Sequence, residues 1–323
     1  MSATQAHSPQ NYITTESTSA VELHRKALSL TQEQEHTEQI PAAIQARARG
    51  KGRIIRYRID IISVLVVMAA LSLQLTAYFK AWPWYALIPI MIGVRALHLV
   101  QHNHTHLRIF RQNALNELLG WMFFISNGVA VEGYELHHVR NHHRFAEQFG
   151  GKDYDWSSTF GFVGCRYPDK PMNRVYYSLT YGPIAIMCCL IEFIRMPGTP
   201  IFWSFIRTLI VFLTASGLMI AHDPWHWFLF FGLPMIIVWL SLGNNNYDHH
   251  ERCDMANPYS AARVNLRFPY CLFGFNIGYH VEHHLKPSLH WSLLPLFHEE
   301  IKEHIPQENY VPPYFAWLGS NKN

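Results

Sequence analysis

Gly278-Tyr279-His280-Val281-Glu282-His283-His284 is the stretch from which the rest of the chain can be read. Wound as a helix, it places His280, His283 and His284 at i, i+3 and i+4, so three imidazoles share one face. The same device recurs upstream. His138-Val139-Arg140-Asn141-His142-His143 puts His138 and His142 four apart, and His102-Asn103-His104-Thr105-His106 repeats the spacing with His102 and His106. A looser set, Asn246-Tyr247-Asp248-His249-His250, places Asn246 four before His250. A lone histidine on a helix is normally a surface residue or a satisfied core residue. Three separate sets at helical spacing, in a chain with 21 histidines, imply metal ligation. Imidazole binds iron, copper, nickel and zinc well. The sets hold too many imidazoles for a single zinc, which takes four ligands. They imply a dinuclear metal centre held almost wholly by histidine.

The totals place that centre in a membrane. Of 323 residues, 49% are hydrophobic and only 15% charged, where a soluble domain carries about 25%. The net charge of +3 is too small to imply a nucleic-acid partner. The five cysteines (Cys165, Cys188, Cys189, Cys253 and Cys271) include no C-x-x-C pair and read as reduced thiols in a reducing compartment.

Residues 1–52 are polar and read as disordered or lying on the membrane surface, without the apolar run of a signal peptide. Residues 53–305 read as one membrane domain and 306–323 as a tail. After Arg53, Arg56 and Arg58, the apolar run Ile59–Phe79 is long enough to cross the hydrocarbon core. A turn with Trp82 and Trp84 leads into Tyr85–Leu99, whose Arg95 and His98 must face something other than lipid tails. Phe202–Ala221 and Trp225–Leu242 form a second hairpin. Leu115–Val131 and Val175–Ile194 are apolar but ambiguous. All histidine sets must reach one side of the membrane, so the segment between His106 and Phe202 crosses an even number of times. Both ambiguous stretches are therefore expected to be interfacial or re-entrant. The expected fold is all-α: four transmembrane helices in two hairpins, interfacial helices, and a cytosolic helical cap carrying the histidine-rich site. Arg and Lys crowd residues 47–58 and recur from Arg108 to Arg195, which puts both termini and the site in the cytosol. The membrane is then a bacterial inner membrane or the endoplasmic reticulum.

The order of the sets resembles the integral-membrane fatty acid desaturase/hydroxylase superfamily, with its H-x3/4-H, H-x2/3-H-H and H-x2-H-H boxes. Here they read His102-x3-His106, His138-x3-His142-His143 and His280-x2-His283-His284, and Lys286-Pro287 and Leu294-Pro295-Leu296-Phe297-His298 follow the last box as in that family. The resemblance covers roughly residues 55–300. It implies a non-haem di-iron centre, O2 as oxidant and a fatty acyl substrate. The ligands it implies are His102, His106, His138, His142, His143, His280, His283 and His284. His250 is the ninth, with His249 as its rival, and Asn246 meets a metal directly or through water. His98 is a neighbour at i, i+4 from His102, while His104 and His137 lie off the shared face. Carboxylates expected to brace the site are Glu135, Asp153, Asp155, Asp248 and Glu282. Asn103 stands where the family commonly has an acid. It can accept a bond from a ligand imidazole but brings no charge.

Removing hydrogen from an unactivated C–H bond needs an oxidant made from O2, and two irons can share the electrons involved. The chain shows no haem-domain signature and no cysteine frame for an iron–sulfur cluster, so ferredoxin, rubredoxin or cytochrome b5 with its reductase is the expected electron donor. Arg140, Arg144 and Lys152 near the mouth fit a head-group site less well than they fit interfacial anchoring. The reading is a fatty acid desaturase. Hydroxylation, carotenoid-type ketolation and decarboxylation of a free fatty acid to a terminal alkene are sibling reactions of the same centre. A membrane metal transporter would instead place its ligands at mid-membrane depth.

Overall fold

The computed structural model describes residues 49, 52–147, 154–162, 165–166, 171–251, 253–254, 257–268 and 270–314. The polar N-terminal segment lies almost wholly outside them, as do Lys152, Asp153 and the end of the C-terminal tail.

The fold is helical. Its described strands are one antiparallel pair, β1 (Gly161–Phe162) with β2 (Cys165–Arg166). Helix α1 (Asp60–Phe79) and helix α2 (Leu87–His106), joined through a short turn at Trp84–Ala86, form the first hairpin. Each 20-residue helix rises about 30 Å, the thickness of a hydrocarbon core. On α1, Val67, Ala70, Gln74, Ala77 and Tyr78 form the buried stripe, while Ile61, Ile62, Leu65 and Met68 point outward. Exposed aliphatic side chains on this scale have lipid as their natural solvent. Helix α3 (Asn113–Asn127) meets α4 (Val131–Phe145) at a 92° bend. Helix α5 (Arg174–Arg195) follows, then α6 (Pro200–His222) and α7 (Pro224–His250). Short helices α8 (Tyr270–Phe273), α9 (His280–Leu285) and α10 (Leu294–Ile301) complete the chain.

By length and composition five helices can cross a membrane: α1, α2, α5, α6 and α7, with the bent α3–α4 pair as a sixth candidate. That is one more than the four spans expected. The addition is α5, where the ambiguous Val175–Ile194 stretch forms an unbroken helix despite Pro183. Asn173 starts it by accepting from the Val175 and Tyr176 amides. Its first turn binds the end of α7, Arg174 reaching Asn244 (2.8 Å) and Asp248 (2.7 Å). Gly243 of α7 permits the close crossing that follows: a Cβ there would lie 2.9 Å from that of Tyr181 and 3.0 Å from Ser178 Cα. The far end of α5 packs Cys189 and Phe193 with Leu136, Trp156 and Phe205.

Breaks in apolar helices expose carbonyls that lipid cannot satisfy, and this fold fills them with glutamine. The α3–α4 bend turns on Gly128, whose φ of +72° suits glycine and whose added Cβ would strike Met235 at 2.8 Å. Gln74 of α1 donates to Ser126 O at the bend (3.0 Å) and to Phe230 O (2.8 Å), which lies in the wide π-turn Phe228–Gly232 of α7. Gln101 of α2 donates to Val129 O (2.7 Å) and accepts from Asn127 (2.6 Å). The carboxyl-terminal lobe is fastened to α1 in a similar way. Buried Asp60 accepts from Trp291 Nε1 and faces His290 Nε2, both at 3.2 Å, and Tyr57 stacks on the His290 ring. Tyr259, Val264, Val281, Leu293, Phe297 and Ile301 form the core of that lobe.

Replacing Gln74 with leucine keeps the volume but leaves Ser126 O and Phe230 O without a donor. The expected loss is about 2–4 kcal/mol of stability, read as a lower unfolding midpoint in detergent. Gly128→Ala is expected to destabilise by about 1–3 kcal/mol through the same bend.

Candidate metal centre

Four elements converge at one end of the helical bundle. The last turns of α2 supply His102 and His106, the middle of α4 supplies His138, His142 and His143, the end of α7 supplies His250, and α9 supplies His280, His283 and His284. Their ring nitrogens form two sets. In each set all ligand atoms lie within 4.8 Å of one another: His102, His106, His138 and His283 in one, His142, His250, His280 and His284 in the other. His143 joins the first, its Nε2 lying 3.3 Å from His138 Nε2 and 3.0 Å from His283 Nε2. His102 Nε2 is 2.8 Å from His138 Nε2, and His142 Nε2 is 3.1 Å from His250 Nε2. Two imidazole nitrogens bound to one metal at about 2.1 Å lie roughly 3 Å apart, so these spacings are those of shared ligands.

The middle box is not a plain α-helix, and this was not visible in its spacing. Glu135–His142 winds as a π-turn, in which the His143 amide donates to His138 O five residues back. The wider turn brings His138 and His143 together, although an α-helix would swing them apart. All three histidines of the box can then face inward.

The tautomers of the outer nitrogens decide what the inner ones offer. A carboxylate or carbonyl only accepts, so the ring nitrogen facing it must carry the proton. His142 Nδ1 donates to Asp155 Oδ2 (2.9 Å), and His250 Nδ1 donates to Ala261 O (3.0 Å). Each Nε2 is therefore a lone pair, and the two lone pairs face each other across 3.1 Å. His102 Nδ1 meets Asn103 Oδ1 at 3.3 Å, which leaves its Nε2 in the same state. The His106 and His284 Nε2 atoms are buried without a hydrogen-bond partner among the described residues. Buried lone pairs aimed at one point repel unless a cation lies between them, so the donor set fits metal ions.

Burial, reinforced by neighbouring imidazoles, lowers the pKa of His280, His283 and His284 well below the ordinary histidine value. These rings are neutral at pH 7, the form that binds a metal. Burial pulls the Asp155 carboxyl up, but His142 and bonds from Ser157 and the Glu147 amide outweigh it and hold it below the usual range. Asp155 thus places a fixed negative charge on this edge of the site. Burial and the Asp155 charge push Glu147 up, and its carboxyl braces the loop by accepting from the Thr159 amide (2.7 Å) and from Ser158 Oγ (3.1 Å).

The other expected residues are placed as follows. His249 is buried against the His280 ring (3.9 Å), but its Nε2 meets Tyr270 Oη (3.0 Å), so His250 and not His249 enters the cluster. Asn246 spends its amide nitrogen on Ser157 O (3.1 Å) and Tyr177 Oη (2.7 Å), leaving its oxygen as the atom a metal or bound water would meet. His98 lies beside Tyr134 and near Asn127. His104 and His137 are buried off the shared face. Glu135 pairs with Arg108 (2.7 Å) and Arg140 (2.6 Å), and among the described residues it meets no imidazole. Glu282 bonds to His298, which lies outside both sets. Asp248 pairs with Arg174, and Asp153 lies outside the described residues. Tyr134, stacked on His138 at 5.0 Å and 8°, and the carbonyl of Ala261 carry no signal in the sequence that would have singled them out.

Asp155→Ala removes the acceptor that orients His142, and a 10–100-fold loss of metal affinity is expected by competition with a chelator. Asp155→Asn should fall between the two. The depressed histidines also set an acid limit. Below pH ~6.5 the unfolded chain takes up protons that the folded one refuses, so stability falls as pH drops. Metal-stripped protein should melt at lower temperature at pH 5 than at pH 7, with no change from these groups between pH 7.5 and 8.5.

No curated protein matches the chain. A family model does, that of the fatty acid desaturases, over residues 80–317, which takes in both histidine sets and all of α3 to α10. With five apolar helices of spanning length and this match over most of its length, the chain is an integral membrane protein of the fatty acid desaturase family.

Proposed function

We propose that the chain is an O2-dependent oxidoreductase that introduces a double bond into a fatty acyl chain at a histidine-held di-iron centre. The observation that carries this reading is the pair of buried imidazole sets whose lone pairs converge. His102, His106, His138, His143 and His283 would hold one iron. His142, His250, His280 and His284 would hold the other, with Asn246 at its edge.

Bound iron would supply the O2 chemistry that breaks an unactivated C–H bond. The balance is two hydrogens from the acyl chain, one O2, two electrons and two protons, giving a double bond and two waters. The electrons come from an external carrier such as a ferredoxin, a rubredoxin or cytochrome b5. The chain's own part is positional. Neutral imidazoles bind without cancelling the metal charge, Asp155 fixes the tautomer of His142, and Asn103 does the same for His102 without adding charge. Tyr134, Leu99, Leu242 and Ile277 wall a cavity beside His102, His138 and His280. An acyl chain filling it would keep water from the reacting carbon.

In the membrane, we read α1, α2, α6 and α7 as the spans and the bent α3–α4 pair as re-entrant. In support, α3 begins next to Phe110 at the metal end, and α4 returns to that end with its three histidines. Helix α5 likewise starts against the last turn of α7 and finishes against Leu136 of α4. The arginine-rich stretches lie at this end, which supports a cytosolic site and cytosolic termini.

Feeding deuterium-labelled saturated fatty acids to cells that express the chain with a reductase system tests the reaction. The expected product has lost two hydrogens, and only when O2 is present. A product carrying one added oxygen would instead indicate hydroxylation or ketolation, and a shortened alkene decarboxylation. His283→Ala and His284→Ala are each expected to abolish turnover, and full activity in the double variant would overturn the reading.

A further inference from the structure

Arg95 has no part in the centre described above, yet it faces the same cavity. It lies in α2 two turns before His102 and on the same stripe, with His98 between them at i+3. This is the interior of a helix long and apolar enough to span. Among the described residues its guanidinium meets two neutral oxygens: Ser241 Oγ at 3.3 Å and, with the amide turned oxygen-first, Asn245 Oδ1. The titratable groups near it are the Tyr134 and Tyr270 hydroxyls and the imidazoles of His98, His102 and His249, and among the described residues no carboxylate pairs with it. An ionised group at this depth is costly unless it meets an opposite charge. The cavity beside it is lined by Arg95, by His102, His138 and His280 of the imidazole sets, and by Leu99 and Leu242.

We infer that Arg95 seats the carboxylate of an unesterified fatty acid. The inference rests on the reading of the histidine centre as one that oxidises acyl chains, and it names the form of the substrate. A guanidinium offers a planar fork that matches a carboxylate in two parallel bonds. A thioester or a lipid ester presents no charge at that point and leaves the cation unpaired. Seven residues of helix rise about 10 Å, so a carboxylate on Arg95 lies within two turns of His102. The hydrogens removed are those of the carbons that then reach the imidazole sets, with the same O2, electron and proton balance given above.

The test is binding of radiolabelled dodecanoate to the purified full-length chain in lipid nanodiscs, with competition by unlabelled dodecanoate, methyl dodecanoate and dodecyl phosphate. Wild-type protein is expected to prefer the free acid over the methyl ester by about tenfold or more. Arg95→Gln should abolish that preference, and Arg95→Lys should keep part of it, with iron content unchanged in both. Preference that survives Arg95→Gln, or an ester that binds wild-type protein as well as the acid does, would overturn the inference. So would dodecyl phosphate binding as well as the acid, which would make the site a general anion seat. The wild-type comparison needs no variant to fold. Because binding is read without turnover, absence of iron from the wild type would count against the centre and not against Arg95.

Discussion

Imidazole lone pairs that face one another in a buried site repel, and only a positive charge between them turns repulsion into cohesion. His142 and His250 are held in that arrangement by partners that can only accept, Asp155 and the Ala261 carbonyl. Rings and partners come from parts of the chain far apart in sequence: α4 and the loop after it, the end of α7, and the stretch before α8. Folding thus brings together groups that are mutually unfavourable until the centre is filled. The metal site is in this sense a condition of the fold at this end of the bundle, and the short helix α9 depends on it most, since three of its six residues face the sets.

Away from the rings themselves the constraint is the backbone. A bundle that bends α3 into α4 and widens α7 at Phe228–Gly232 leaves carbonyls with nothing to bind in lipid. Gln74 and Gln101 close those gaps from inside the first hairpin. The bend in turn sets the angle at which α4 returns, and so the position of His138, His142 and His143. Two buried glutamines, Gln74 several turns from the rings and Gln101 next to His102, thereby govern the geometry of the site.

Much of this was legible in the chain. The i, i+4 spacing in His102/His106 and the i, i+3, i+4 spacing in His280/His283/His284 place imidazoles on one helical face, and the structure brings them together. Asn103 does accept from His102, as its position in the first box implied. The π-turn at Glu135–His142 was hidden, because residue spacing reports the face of an α-helix and not which hydrogen-bond register the backbone adopts. Carboxylates were harder still. Asp155 reaches His142, whereas Glu135 and Glu282 are claimed by Arg108, Arg140 and His298, and such choices follow from packing between distant segments. The sequence marks helix α5 as an apolar stretch but not its place: its composition fits a span, an interfacial helix or a buried one equally, and its contacts with both α4 and α7 come only from the assembled fold.

Metal analysis of the purified protein together with X-ray absorption at the edge of the metal found tests the central claim most directly, because the pair counts the metal and identifies its neighbours. About two irons per chain, each in a shell of imidazole nitrogens with no sulfur, is the predicted result. A single zinc per chain, or iron bound through sulfur, would contradict it.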